Sequence, residues 1–261
     1  MAHRRSARSR ERRRRWRRIA LALPVLTTIL LIAVVGGLII VEQQSQVRTT
    51  EEADAVAQDF LAEVDAFRTD LTELIEAGRE GPPAELKARI EARIAEPPTL
   101  PELTGEGADL SREYHDAQYV EAALLDPYTE LVDVLGRTAV ARDFIGAAGA
   151  ALALRVEDLA GSTTIESTEV VEGQVIPAFE DALATFEAVP VPAGQEELAG
   201  QVASALRHVV DECRLLVSLA SAGQSYSFSY GEQVAVAQEG VRLYGLTVDA
   251  DLATAVDAAL L

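Results

Sequence analysis

The side chains able to do chemistry are few: the histidines are His3, His115 and His208, and the one cysteine is Cys213. The most suggestive spacing is His208-x-x-x-Glu212, with Asp211 and Cys213 beside it. On a helix it places an imidazole and a carboxylate one turn apart on the same face. Such a pair holds a divalent ion when a second element adds ligands, and is otherwise an ordinary surface pair. Cys213 keeps apolar register with Leu206, Val209 and Leu216, which suits a packed thiol better than a ligand or nucleophile. Glu113 and His115 stand two residues apart and cannot converge on one helix face. Neither His115 nor His208 has a glutamate three residues before it, as a di-iron carboxylate bundle requires. No G-x-S-x-G, H-E-x-x-H, phosphate-loop, EF-hand or G-x-G-x-x-G pattern occurs. The expectation is a protein that is not an enzyme and has no cofactor or metal.

One binding candidate remains. In "SYSFSYG", Ser225 to Gly231, serines alternate with Tyr226, Phe228 and Tyr230. Aromatic residues make up only 5% of the chain, so three within five positions are a concentration that suits a pocket wall or an interface anchor. The same three side chains would also serve to close one end of an apolar core.

The elements that must position these residues read as helices, so the fold class is all-α. From Thr49 to Ala77 the apolar positions Ala53, Ala57, Phe60, Val64, Phe67, Leu71 and Leu74 recur at alternating steps of four and three. That 53–74 seam suits one helix of an antiparallel bundle, or a parallel stalk joining two copies. Gly78 and the Gly81–Pro83 run end it. A short helix is predicted over Pro83–Glu96, an extended loop over Pro97–Asp109, and a helix from about Ser111 that breaks at Pro127 and resumes toward Leu159. "GSTT", Gly161 to Thr164, reads as a turn and cap. Val170–Val189 is helical with a disturbance at Pro177, and "VPVPAG", Val189 to Gly194, is a stiff linker. Gln195–Ala222 carries Leu198, Val202, Leu206, Val209, Cys213, Leu216 and Ala220 on one face. A helix over about Gly231–Leu246 should then turn at "TVDAD" into a final one. Six or seven helices in one bundle-like body are expected, with no strand.

Charge divides the chain sharply. Residues 1–18 hold ten arginines against one glutamate, a formal +9; residues 19–41 hold no charge; the remainder holds 13 basic against 41 acidic residues, a formal −28. Ile19 to Val41 is 23 uncharged residues, 15 of them Leu, Ile or Val. As a helix it measures about 35 Å at about 1.5 Å per residue, enough for a hydrocarbon core of about 30 Å. Those 15 side chains favour insertion by at most about 5 to 9 kcal/mol. A cleaved signal peptide fits less well: the apolar run is too long, and "EQQSQVRTT" after it has no small-x-small site. Arg48 is the only basic residue in the 20 that follow the run, so the positive-inside rule keeps Arg12, Arg13, Arg14, Arg15, Arg17 and Arg18 cytoplasmic, with Trp16 at the interface.

The reading is therefore a single-pass plasma-membrane protein: a cytoplasmic tail over 1–18, a signal anchor over 19–41 and an acidic extracytoplasmic helical domain over 42–261. A nucleic-acid role for the arginines is set aside, because no folded reader accompanies them. Expected partners are the lipid bilayer and another envelope protein, or a second copy of this chain through Ala33, Gly37 and the 53–74 seam. A ligand-sensing or solute-binding bundle is the alternative. Arginine numbers 22 against the single Lys87, and asparagine is absent, a usage that suits GC-rich bacterial coding and leaves no N-glycosylation acceptor.

Overall fold

The computed structural model describes residues 45–161, 167–227 and 229–261; among these every regular element is helical. The helices are α1 (45–78), α2 (Pro83–Ile94), α3 (Glu106–Leu110), α4 (Arg112–Ala123), α5 (Asp126–Leu152), α6 (Val156–Ala160), α7 (Thr168–Val170), α8 (Ile176–Glu187), α9 (Glu196–Ser221) and α10 (Gly231–Ala259). No described helix is long and apolar enough to cross a membrane. The expected span at 19–41 and the basic tail, including Arg12–Arg18 and Trp16, lie outside the described residues.

The described chain divides into two compact units. The first joins 45–65 of α1 with 98–122. It buries Ala53, Ala57, Phe60 and Val64 of α1 and Ala117 of α4, and polar contacts hold a loop to α4. The Tyr114 hydroxyl donates to the Pro101 carbonyl (2.8 Å) and accepts from the Leu103 N–H (3.0 Å). Glu121 accepts from the Leu100 N–H at 2.8 Å. Ser111 accepts the Tyr114 N–H at 2.9 Å, which caps the start of α4, and its own hydroxyl donates to Asp54 of α1 at 2.5 Å. Gly107 lets α3 meet α1 closely: a Cβ there would sit 2.5 Å from the Thr49 backbone. The loop expected to reach Asp109 thus ends earlier, because this contact orders Glu106–Leu110 into a helical turn.

The second unit comprises 66–97 and 123–261. Helix α5 carries Leu131, Leu135, Phe144, Ala148 and Leu152 into its core. It runs antiparallel to α10: Leu152 accepts from Gln238, Phe144 meets Tyr244 and Arg142 meets Asp249. Around this pair α8 and α9 bring Phe179, Phe186, Val202, Leu206, Val209 and Cys213 into one apolar cluster. Phe144 and Phe186 lie with ring centroids 5.4 Å apart, a tilted aromatic contact. Elsewhere in the unit the Arg93 guanidinium stands 4.3 Å from the centroid of the Phe67 ring while pairing with Asp70 at 3.0 Å.

Several sequence expectations are corrected. The α1 seam ends in Ile75, which is fully buried, and not in Leu74; the last step is four because a straight α-helix drifts from a strict heptad. Helix α5 stops at Leu152 and α6 is separate, so the run does not continue to Leu159. The break before Pro127 occurs as expected, with proline in the first turn of α5. At Pro177 the disturbance is a π turn, Val171–Val175: proline has no N–H for the Gly173 carbonyl and its ring crowds that oxygen, so the preceding turn widens. Finally, "TVDAD" makes no turn. Helix α10 runs unbroken through it: the Thr247 hydroxyl is turned back to the Leu243 carbonyl (3.2 Å) and caps nothing, while burial of Val248 holds the segment against its neighbours.

Candidate functional site

The aromatic segment joins α9 to α10. Tyr226 and Tyr230 are half-buried and pack against the core cluster of the second unit; Phe228 lies outside the described residues. The Tyr226 hydroxyl donates to Glu212 of α9, and the Ser229 N–H donates to the same oxygen at 3.3 Å. The Tyr230 hydroxyl donates to the Glu157 carboxylate at 3.2 and 3.3 Å. Burial, then the hydrogen bond and charge of Glu212, push the Tyr226 phenol up to about 12. Tyr230 moves in the same direction, by burial first and the Glu157 charge second. The two tyrosines thus tie the connection to α9 and α6.

These contacts also settle the geometry around His208. Glu212, its partner by spacing, is engaged by the aromatic segment, and His208 Nε2 is buried with no hydrogen-bond partner among the described residues. No group of three or more His, Cys, Asp or Glu side chains is arranged to hold a metal ion among the described residues. Cys213 is fully buried, and burial, reinforced by Glu212, raises its thiol to about 11, far from a reactive thiolate.

Sequence reasoning missed an open groove of about 1030 Å³ in the second unit. Its walls are α5 and α10, closed at one end by the start of α9 and the Val191–Gln195 connection. Along α10 it is lined by Gly240, Leu243, Thr247 and Asp251, which fall on one helix face. Helix α5 contributes Asp133, Gly136, Arg137 and Val140. Two glycines shape the groove. At Gly240 a Cβ would stand 2.8 Å from Leu198, so α9 and α10 meet closely; at Gly136 the Lys87 stem lies 3.3 Å from where a Cβ would be. Val140, Val191 and Leu243 remain 39%, 45% and 50% exposed, so apolar side chains face solvent from three elements. Asp133, Glu197, Asp251 and Arg137 make no ion pair among the described residues, whereas Lys87 pairs with Glu91 at 2.6 Å. Tyr244 lines the groove against Phe144, its phenol raised by burial and then by the Asp251 charge.

The residue set suits binding: exposed apolar side chains stand beside charges that make no ion pair among the described residues. Neither His208 nor Cys213 lines it, and neither do Tyr226 and Tyr230. The traces it left in the sequence were Gly136 and Gly240 inside helical runs, and Val140 and Leu243 on faces that should have been polar. No family model, curated protein or solved structure matches the chain.

Proposed function

We propose that this chain is a single-pass, membrane-anchored protein of the bacterial envelope whose acidic helical domain stands outside the membrane and binds another envelope protein without catalysing a reaction. The observation that carries the reading is the charge division: ten arginines, then 23 uncharged residues, then a single basic residue in the next 20. The formal −28 of the remainder supports a basic partner and disfavours anionic polymers and lipid head groups. The apolar side chains exposed in the groove add a surface that a partner would cover. Fusions of reporters to the C-terminus test the topology. A reporter active only outside the cytoplasm should work and a cytoplasm-only reporter should fail; the reverse pattern removes the reading.

A second reading, a ligand-sensing or solute-binding bundle, is favoured by the groove volume of about 1030 Å³, at the upper end of small-molecule sites. Its test is a thermal-shift screen of the full chain in detergent against small molecules. No shift from any of them counts against it.

A further inference from the structure

We propose that the groove between α5 and α10 receives an amphipathic helix of a second protein, one that carries basic residues beside its apolar face. The inference rests on the protein-binding reading above and names its site. Gly240 to Asp251 spans about 17 Å at about 1.5 Å per residue, which matches some three turns of a docked helix. A helix bound in this way presents anchors at i, i+3, i+4 and i+7. Val140, Val191 and Leu243, all exposed along the groove, supply the apolar contacts for those anchors.

Charge selects the occupant. Three carboxylates unpaired among the described residues, Asp133, Glu197 and Asp251, surround the groove against one such guanidinium, Arg137. An acidic helix would add like charge to a body that already carries a formal −28, while lysines and arginines flanking an apolar stripe would meet those carboxylates. A purely apolar ligand would leave the carboxylates beside a desolvated surface with nothing gained from them.

The test places a photoreactive benzophenone side chain at Val140, at Leu243 or, as a control outside the groove, at Tyr119, in the full-length protein in membranes of its source organism. Illumination is followed by mass-spectrometric mapping of the attached peptide. The expected result is attachment from Val140 and Leu243 to one segment of one other protein, with apolar residues at helical spacing and flanking Lys or Arg. Combining Glu197→Gln with Asp251→Asn should lower that yield about five-fold or more, and high salt should lower it likewise. Both positions are exposed, so an unchanged melting temperature of the double variant shows that the fold is kept. The proposal is overturned if Val140 and Leu243 attach to lipid, to residues 1–44 of this chain, to a second copy, or to an acidic segment. It is also overturned if the yield ignores the carboxylates. Attachment from Tyr119 alone would remove the groove while leaving the protein-binding reading intact. Attachment from none of the three would remove both.

Discussion

Glu212 accepts from both the Tyr226 hydroxyl and the Ser229 N–H, so one carboxylate holds the connection between α9 and α10. Replacing it, Glu212→Gln, removes the charge that helps raise the phenol, and the Tyr226 pKa should fall from about 12 while staying above 10.0, because burial is the larger cause. Difference titration of each protein against its Tyr226→Phe counterpart, followed by tyrosinate absorbance, reads this directly; an unmoved titration would mean the charge is not felt. The sign for stability follows from linkage. The folded chain keeps this proton between pH 10.0 and about 12 while the unfolded chain releases it, so the contribution is full below 10.0 and is lost as pH rises through that window. His208 supplies the opposite case. Its buried Nε2 lacks a partner among the described residues, so His208→Leu should stabilise the protein by about 1 kcal/mol. A lower melting temperature for that variant would show that the imidazole has an essential partner.

Helices α3 and α5 use glycine for different reasons, which substitution separates. Gly107 sits where a Cβ would meet the Thr49 backbone at 2.5 Å, and backbone cannot yield as a side-chain tip can. Gly107→Ala should therefore cost about 1 to 3 kcal/mol. Gly146, inside α5, has nothing within 4 Å of where a Cβ would stand, so Gly146→Ala gains helix propensity without a clash. It should stabilise by about 0.5 to 1 kcal/mol. Melting curves of the two variants should move in opposite directions, and a parallel shift would contradict the packing around Gly107. Element boundaries follow the same local logic. Pro127 and Pro177 were visible as interruptions; what was not visible is that the first opens a new helix after a break at Leu124–Leu125 while the second follows a widened turn in a helical run that continues.

Across the whole molecule, charge acts on every helix at once. The 41 acidic and 13 basic residues after position 41 repel one another on balance, and salt shortens the reach of that repulsion from about 30 Å at about 0.01 M to about 3 Å at about 1 M. The melting temperature of the full chain in detergent should accordingly rise as sodium chloride is raised over that range. A flat or falling curve would mean that the described ion pairs, such as Arg214 with Glu180 and Arg93 with Asp70, outweigh the excess of acids. All eight described pairs involve exposed or half-exposed side chains, which gives each a small share of stability and makes the net repulsion the larger effect.

The helical class, the main amphipathic faces and the burial of Cys213 were determined by the sequence alone, because a 3.6-residue period repeats locally and needs no partner to be recognised. Six of the seven seam positions of α1 are buried as read, and Leu198 through Leu216 hold the inner face of α9. The groove was decided only by tertiary structure. Val140 and Leu243 lie more than a hundred residues apart, and nothing near either one signals that α5 and α10 run antiparallel and leave both side chains facing a shared opening. The binding of Glu212 by Tyr226 and Ser229 is of the same kind: spacing paired Glu212 with His208, while the returning chain brought donors that took it. Periodicity reports which side of a helix is apolar; only the packed neighbours determine which part of that side stays uncovered.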